Sequence, residues 1–362
     1  MFYQYDQVEA VSGNFSHHQL GRDLGERFSR QISDNIADYE RFLTARAISA
    51  ETRQEVIDRI RGNLRTWAPH MLEEMQGIAA GAGCQLEDII ALNSRTELLA
   101  AAPPAGEGEC STAVLLPQDG SAPRTVQTWD WIEDLNKDML IRRYPTPSGR
   151  TVTTFAEFGQ LAKIGVNSEG LGNHFNILNH QTDGQGSGVP VHLVAKRILD
   201  EASTVEEAVA IAEAANLEAS TVITVVADGQ AGPQAACVEL SPQGTAALHA
   251  EVGRPLVHTN HFVDPQLAAG EQPNTLSTTH DRYQCAADHG EVVMSIADDL
   301  ERARQFTATD FPVDVKPDLS KPWFQQIRTK ATVVVDVVNS QLHCCPGSAS
   351  RISEEEWITY PA

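Results

Sequence analysis

Residues 103–116 read PPAGEGECSTAVLL, and this stretch divides the chain into two parts of different character. Its first half, Pro103 to Glu109, combines prolines, glycines and acidic residues, which is typical of a polar loop. Its second half is a short run of apolar and β-branched residues directly after Cys110, which predicts a strand. Cys110 therefore stands where a loop becomes a strand, an unusual place for a cysteine that only fills a core.

The hundred or so residues before this junction are predicted to be helical. Apolar residues recur every four positions from Leu20 to Ile36, after Ser16 as a candidate N-cap. The same spacing recurs from Val56 to Met71, and a third apolar run covers residues 86–98. These patterns predict two longer helices and one shorter helix.

The residues after the junction are predicted to be mostly strand. Short segments rich in β-branched residues and separated by turns predict an antiparallel meander over STAVLL, TVQTWDW, TVTTFAEF and AKIGVN. Two helices are expected near 191–201 and 205–215, then strands at TVITVVA, AACVEL, TAALHA and LVHT, a helical stretch over roughly 280–306, and a closing strand at ATVVVDVV. This order predicts an α+β fold in which two antiparallel sheets stack face to face with helices outside.

Composition excludes several classes of function. The chain has 362 residues, 41% of them hydrophobic, without a low-complexity linker, so one large domain or two packed halves fit. Its 49 acidic and 27 basic residues give a net charge of −22, which would repel nucleic acid and anionic membranes. No stretch approaches the roughly 18 apolar residues of a membrane span, and the start lacks a signal-peptide pattern. A cytoplasmic protein with neither nucleic acid nor membrane as partner is expected.

The cysteines and histidines do not predict a metal or a disulfide framework. The six cysteines are few and scattered, and none forms a CxxC pair. The adjacent cysteines at 344–345 would point to opposite faces of a strand. His258 and His261 are a close pair, but no third ligand stands at a suitable spacing. We therefore expect no metal.

Cys110 offers a self-contained chemistry if the peptide bond before it is cut. The new α-amino group would have a reference pKa of about 7.7 to 8.0, so it could take the proton of the thiol on the same residue. The competing mechanism, that of papain-like proteases, needs a distant histidine such as His258 or His261. It also places the cysteine before a long helix, whereas Cys110 opens a strand.

Segments along most of the chain resemble, in order, the isopenicillin N acyltransferase family: SHHQLGRDLGERF, GIAAGAGCQLEDIIALNSRTELL, GEGECSTAVLL, TVQTWDW, AKIGVNSEGLGNHFN and HTNH at 258–261. The resemblance implies the four-layer αββα sandwich of N-terminal nucleophile hydrolases. It implies cleavage between Glu109 and Cys110 into chains 1–109 and 110–362 that remain bound as a heterodimer, with a higher oligomer left open. It implies no metal and no cofactor.

The resemblance also implies a role for four residues. Cys110 matches the nucleophile, and Asp130 matches an aspartate that orients the new α-amino group. Asn260 matches an amide that donates to the oxyanion, and Arg328 matches an arginine near the nucleophile. Each role suits the residue type: a carboxylate tunes an amine, a neutral amide stabilises an oxyanion, and a cation favours a thiolate.

Two further expectations concern the surroundings of the nucleophile. Aromatic residues near these strands, Trp131 and Phe175, are expected to line the substrate pocket. Glycine is common in the family before the nucleophile, whereas Glu109 stands there in this chain. Because a bulkier residue reaches strained backbone conformations less easily, cleavage is expected to be slowed.

The reaction itself stays open between two outcomes that share a Cys110 thioester. Water can hydrolyse the thioester of a small amide substrate, or an amine can accept the acyl group, with acyl-coenzyme A as a conceivable donor. Hydrolysis is favoured because water is always present. A catalytically silent binding protein is the alternative from another class, and the joint presence of the four site residues speaks against it.

Overall fold

Six helices precede the junction in the part of the chain that the computed structural model describes, namely residues 1–8, 15–104, 108–229, 232–308 and 313–362. They are α1 (His17–Arg27), α2 (Ser29–Ala45), α3 (Ala50–Trp67), α4 (Pro69–Ala82), α5 (Leu86–Asn93) and α6 (Arg95–Leu99). The predicted N-cap is confirmed, because the Ser16 side chain accepts a hydrogen bond from the backbone of Gln19. Each predicted helix is interrupted once. Pro69 has no backbone N–H to continue α3, so a new helix begins there.

Helices α1 and α4 pack with their backbones in direct contact. Each contributes two glycines four residues apart, and a Cβ atom on any of them would meet a backbone carbonyl oxygen of the other helix at 2.0 to 2.3 Å. The four are Gly21, Gly25, Gly77 and Gly81. Any larger residue would force the helices apart.

The described strands form two sheets. The eight-stranded sheet has the order β1 (Phe2–Asp6), β4 (Met139–Pro145), β5 (Thr151–Ala156), β6 (Ile164–Asn167), β7 (Leu171–Ile177), β8 (Thr221–Gly229), β9 (Gly232–Ser241), β10 (Gly244–His249). The six-stranded sheet has the order β11 (Leu256–His258), β2 (Ser111–Leu115), β3 (Arg124–Ile132), β12 (Ile327–Asp336), β13 (Gln341–Pro346), β14 (Ile358–Pro361). All pairs are antiparallel except β1 with β4.

Helices cover the outer face of each sheet. Helices α7 (Val191–Glu201) and α8 (Val205–Glu213) pack on the eight-stranded sheet, and α10 (Thr279–Met294) and α11 (Asp299–Phe306) pack on the six-stranded one. Strands β12 and β13 pack across the interior against β5, β6 and β7. The predicted α+β fold with a four-layer αββα sandwich is therefore confirmed. None of the described helices is both long and apolar enough to cross a membrane.

The predicted strand order is wrong in two respects. The single meander after Cys110 is divided, because β2 and β3 lie in the six-stranded sheet while β4 to β7 lie in the other. Strand β12 does not close its sheet but lies at its centre, between β3 and β13. Strands β4 and β7 escaped prediction because buried polar residues, such as Arg142 and Asn173, interrupt their apolar pattern.

Candidate active site

Cys110 lies immediately before β2, with its side chain in the core between the two sheets. Its thiol is 3% exposed and lies 3.9 Å from the backbone oxygen of Asp130. Its own carbonyl accepts two hydrogen bonds, from Arg282 Nη1 at 2.8 Å and from Asn176 Nδ2 at 3.2 Å. Arg282 belongs to α10 and Asn176 to β7, so two different layers fix the main chain of the predicted nucleophile.

Asp130 is fully buried on β3, opposite Thr329 of β12. Burial raises the pKa of its carboxyl well above the ordinary value, and the neighbouring Glu109 adds to the rise, against opposing effects of Thr329 and Arg282. Oδ2 accepts a long hydrogen bond of 3.4 Å from Thr128, whereas Oδ1 has no partner among the described residues. Burial therefore favours the protonated form of this carboxyl, and Oδ1 remains available to a hydrogen-bond donor.

The Glu109 side chain is fixed by three hydrogen bonds. One carboxylate oxygen accepts from the backbone N and from Oγ1 of Thr278, both at 3.0 Å, and from Arg282 Nη2 at 2.8 Å. The preceding residue, Gly108, has a φ of +74°, a conformation that favours glycine. The glycine that adopts the left-handed conformation is thus the residue before Glu109, and Glu109 itself stands directly before the predicted scissile bond. Slower cleavage caused by Glu109 remains a prediction.

Asn260 follows β11 and is bonded through each polar group. Its backbone N donates to Thr279 Oγ1 at 2.8 Å, its Oδ1 accepts from Arg282 at 3.0 Å, and its Nδ2 donates to the Ile177 carbonyl at 2.9 Å. A Cβ atom on Gly108 would lie 3.8 Å from this Nδ2, so the amide is next to the segment that leads into Cys110. An amide nitrogen carries two hydrogens, and the second remains for an oxyanion.

Arg282 is the residue that the sequence reasoning missed. It is fully buried and also donates to Ser111 Oγ at 2.9 Å, in addition to its bonds with Cys110, Glu109 and Asn260. An arginine in the first turns of an ordinary helix, 172 residues from Cys110, gives no local signal. Only the packing of α10 on β2 reveals its place.

The structure does not bring Arg328 into this group. Its guanidinium pairs with Glu133 at 3.0 Å, and its side chain is 41% exposed. In the register of β12 it stands opposite Trp131, and the next residue, Thr329, stands opposite Asp130. Successive side chains of a strand point to opposite faces, so Arg328 points away from the Asp130 carboxyl. Within the described residues, the cation bonded at the nucleophile is Arg282.

A second charged cluster is buried in the core near the thiol. Glu157 pairs with Arg95 at 2.8 Å and with Lys163 at 3.1 Å. Burial and the charge of Arg95 lower the pKa of Lys163 to about 7. The charges of Lys163 and Arg282 favour the thiolate of Cys110, but burial, aided by Asp130, dominates and raises the pKa of the thiol to about 12. The uncut chain therefore keeps the thiol protonated.

Both aromatic residues expected at the pocket are fully buried, and Phe175 packs on the α7 side of its sheet. The Arg95 guanidinium lies over the Trp131 ring at 4.0 Å, and Phe175 stacks on His192 at 4.6 Å. Contact of either with a substrate remains a prediction. A surface cleft opens nearby, lined in part by Thr96 and Ile177. Since the Ile177 carbonyl accepts from Asn260, this cleft adjoins the site.

One group of side chains could hold a metal ion, away from Cys110. Potential ligand atoms of Asp299, Asp336 and His343 lie within 4.8 Å of one another. The Asp299 carboxylate already pairs with Arg302, which supplies positive charge without a metal. As expected for neighbours on a strand, Cys344 and Cys345 pack into different cores on the two faces of β13.

Comparison with known proteins places these residues in a family context. The family model described as acyl-coenzyme A:6-aminopenicillanic acid acyl-transferase matches residues 118–302, about half of the chain. Asp130, Asn260 and Arg282 fall within the match, whereas Cys110 and Arg328 lie outside it.

A curated relative and two solved structures show the extent of the similarity. The 40 kDa form of acyl-coenzyme A:6-aminopenicillanic-acid-acyltransferase from Emericella nidulans is 28% identical over 215 residues, 59% of this chain but only 58% of that protein. Penicillin V acylase from Agrobacterium tumefaciens is 18% identical with a TM-score of 0.48, covering 66% of this chain and 83% of that one. An N-acylethanolamine-hydrolyzing acid amidase ortholog from Caenorhabditis elegans is 15% identical with a TM-score of 0.45, covering 63% and 93%.

Proposed function

The chain belongs to the acyl-coenzyme A:6-aminopenicillanic acid acyl-transferase family, and on that basis we propose that it cuts its own Glu109–Cys110 bond and then uses Cys110 to cleave a small acyl amide. The observation that supports this most is the arrangement at Cys110. Arg282 and Asn176 hold its carbonyl, Asn260 lies beside the preceding residues, and Asp130 keeps an open oxygen.

The first reaction is an acyl shift within the chain. The Cys110 sulfur attacks the Glu109 carbonyl carbon, the C–N bond breaks, and the nitrogen takes up the thiol proton to become the α-amino group of Cys110. Water then hydrolyses the thioester, which leaves a carboxylate on Glu109 and a free thiol. Asn260 stabilises the oxyanion of each tetrahedral intermediate. Asp130 accepts a hydrogen bond from the new α-amino group, which holds that group beside the thiol, and pairs with it once it has taken up a proton.

The second reaction uses the same atoms on an external amide. The free α-amino group takes the thiol proton, the thiolate attacks the amide carbonyl, and the ammonium returns the proton to the departing amine. Water hydrolyses the thioester. The new positive charge beside the sulfur also lowers the pKa of the thiol from its high value in the uncut chain. Cleavage thus activates the nucleophile.

Acyl transfer to an amine is the second candidate function. It is favoured by one observation, that the matching family model and the 28% identical relative are both described as acyltransferases. The two outcomes differ only in what attacks the thioester. Adding a primary amine to a reaction in progress and measuring the ratio of amide to free acid distinguishes them.

The histidine-dependent alternative finds little support in the geometry. Both ring nitrogens of His258 are occupied, Nε2 by Glu239 at 2.7 Å and Nδ1 by the Thr259 carbonyl at 3.1 Å. His261 Nδ1 lies 3.1 Å from Thr259 Oγ1 and 2.9 Å from Thr279 Oγ1. Among the described contacts, neither ring bonds to the thiol.

Intact-mass spectrometry tests self-cleavage. Apportioning 39.4 kDa by length, we expect fragments of about 12 and about 27 kDa, with Cys110 at the start of the larger one. Cys110→Ala should stay whole and inactive, because the thiol begins both reactions. A single 39.4 kDa species with full activity would refute the proposal.

Blocking the α-amino group tests the mechanism after cleavage. Selective acylation or transamination of that amine in the cut enzyme, checked by mass, should abolish turnover while the thiol remains. His258→Ala and His261→Ala should cost much less. Full activity with a blocked amine would show that another base serves the thiol.

A further inference from the structure

We propose that the place now occupied by the Glu109 carboxylate is a binding subsite for acyl groups that carry their own carboxylate, so that the cut enzyme selects acyl groups of the glutaryl type. This inference rests on the proposed function of Cys110 and names its substrate class.

The subsite is built from three donors that converge on one oxygen. They are the backbone N and Oγ1 of Thr278, each at 3.0 Å, and Arg282 Nη2 at 2.8 Å. Charge-assisted bonds of this kind are stronger and more specific than neutral ones. The other oxygen, Oε1, is buried and has no hydrogen-bond partner among the described residues. The subsite therefore binds one carboxylate oxygen through hydrogen bonds and has room for the other.

Arg282 does not depend on Glu109 for its position. Its guanidinium also bonds to the Cys110 carbonyl, to Ser111 Oγ and to Asn260 Oδ1, at 2.8 to 3.0 Å. Cleavage would make Glu109 a chain end, and we take its side chain to leave the subsite while Arg282 stays in place. Its charge would then be buried without a carboxylate partner, a costly state that an incoming anion relieves.

Asp130 is not free to supply that partner. In the proposed mechanism its carboxylate pairs with the new ammonium group of Cys110, which leaves Arg282 as the surplus charge. The other neighbours of Arg282 are neutral oxygens of Thr278, Asn260, Ser111 and the Cys110 main chain. The cut site thus presents one unbalanced cation beside the reacting atoms.

The chemistry of self-cleavage identifies the ligand that fits. When the thiol attacks residue 109, the acyl group of the thioester is Glu109 itself, so Glu109 is the first acyl group that this site handles. Its carboxyl is separated from the reacting carbonyl by Cα, Cβ and Cγ. A glutaryl group has the same spacing, with three carbons between the two carbonyl carbons.

The outermost donor of the subsite lies at the surface. Thr278 is exposed at the surface, whereas Arg282 is fully buried. The donors therefore form a path from the exposed start of α10 towards the thiol. Because the chain carries a net charge of −22, an anionic substrate gains nothing from long-range attraction, and preference for it must come from this local cation.

Two chromogenic amides that differ only in charge test the inference on the cut wild-type enzyme. Glutaryl-4-nitroanilide carries the carboxylate, and 5-amino-5-oxopentanoyl-4-nitroanilide carries a neutral amide of the same shape. We expect kcat/KM to favour the glutaryl compound by about 10- to 100-fold, the range of charge-assisted hydrogen bonds. Equal values, or preference for the neutral compound, would overturn the subsite while leaving the proposed function intact.

A matched pair of variants locates the preference. Thr278→Val removes the hydroxyl that donates to the carboxylate and accepts from Arg282 Nε, keeps the backbone donor, and should reduce the glutaryl preference by about 3- to 10-fold. Gln284→Ala on the exposed side of the same helix, where Gln284 bonds to Asp288, should leave the preference unchanged. An unchanged preference in Thr278→Val, or an equal fall in both variants, would assign the selectivity elsewhere.

A binding measurement decides the question if neither anilide is turned over. Glutarate should protect Cys110 of the cut enzyme from iodoacetamide at concentrations at least 10-fold lower than butyrate, which lacks the second carboxylate. Equal protection, or none, would overturn the inference. A chain that never cuts would refute the proposed function, and this inference with it.

Discussion

At the scale of single residues, the charges around Cys110 determine the state of the site. In the uncut chain Arg282 is the one cation bonded to the main chain of Cys110 among the described residues, and it bonds to the Glu109 carboxylate at 2.8 Å. Burial raises the pKa of Asp130 well above its ordinary value and that of the Cys110 thiol to about 12, so the thiol stays protonated. In the uncut site the charge of Arg282 is therefore paired with that of Glu109, and the protonated thiol is a poor nucleophile. Cleavage before Cys110, as proposed, would add an α-amino group whose positive charge, once it is protonated, stabilises the thiolate.

Arg282 and Arg328 provide a direct comparison of two arginines. Arg282→Gln removes the buried partner of Glu109 and should destabilise the uncut chain by about 3 to 5 kcal/mol and slow cleavage severely. Arg328→Gln removes a half-exposed pair with Glu133 and should change stability by at most about 1 kcal/mol. Thermal unfolding and time-resolved intact mass measure both effects.

The double variant Arg282→Gln/Glu109→Gln separates stability from chemistry. It removes both members of the buried pair, so most of the lost stability should return while cleavage stays slow. If Arg328→Gln instead abolished cleavage and Arg282→Gln did not, the assignment of the cation to Arg282 would be wrong.

Asp130→Asn should affect turnover far more than folding. Asparagine keeps the shape of the carboxyl, whose charged form burial already disfavours, so the melting temperature should change little. After cleavage it cannot pair with the α-ammonium group, and turnover should fall by a factor on the order of 10² to 10⁴. Steady-state kinetics of the fully cut variant provides the measurement. Wild-type rates on a good substrate would make Asp130 a bystander.

At the scale of elements, the buried carboxyl of Glu97 performs the capping of α7. That helix starts after Pro190, which has no side-chain cap, and the backbone N of Val191 donates to Glu97 Oε1 at 2.9 Å. Burial raises the pKa of Glu97 to about 8. Glu97 of α6, in its protonated form, thus supplies the hydrogen-bond acceptor for the first backbone N–H of α7.

This cap predicts a pH dependence of stability. Between about pH 4.5 and pH 8, the folded state keeps the Glu97 proton and the unfolded state loses it, so rising pH destabilises the wild type, up to about 1 kcal/mol per pH unit. Glu97→Gln has no such loss. Its stability relative to wild type should rise from pH 5 to pH 8 and level off above. Denaturant unfolding at several pH values tests this, and a difference independent of pH would contradict it.

The helices and strands also show which features a local sequence pattern can predict. The helix at 191–201 was predicted with its final bounds, because its apolar spacing is local and its ends are marked by Pro190 and the following Ser203 and Thr204. The division of strands between two sheets was not predictable in this way. It depends on pairing β3 with β12, about 200 residues apart, which no local period encodes.

The site shows the same limit. Cys110, Asp130 and Asn260 stand on or beside strands whose patterns and motifs are readable, and the structure brings these three together. Arg282 comes from a helix with no motif of its own, and it is recognised only by what it contacts. Arg328 stands one residue from the position that faces Asp130, an offset that reverses the face of a strand.

At the scale of the whole molecule, the predicted cut does not follow a boundary between domains. Residues before Cys110 supply β1, which pairs in parallel with β4, and six helices that share one hydrophobic core with both sheets. A fully buried ion cluster also crosses the cut: Glu74 of α4 lies 2.7 Å from Arg142 and 3.5 Å from Lys196. Burial alone would raise the pKa of Glu74, but these two cations hold it below the ordinary value.

The two chains should therefore stay together after cleavage and unfold in one transition. We expect them to co-elute in gel filtration without denaturant, and to separate only when the core is opened. Glu74→Gln would leave Arg142 buried without its carboxylate, while Lys196 keeps Asp200 at 2.9 Å, and should lower the free energy of unfolding of the cut protein by about 3 to 5 kcal/mol. Glu73→Gln, on the exposed face of the same helix, is the control and should change it by less than about 0.5 kcal/mol. A Glu74→Gln protein as stable as its control would show that the buried ion pairs of Glu74 do not hold the two chains together. Chains that separate in native buffer would show that the cut releases the N-terminal helices. The site would then have to work without the layer that now covers it.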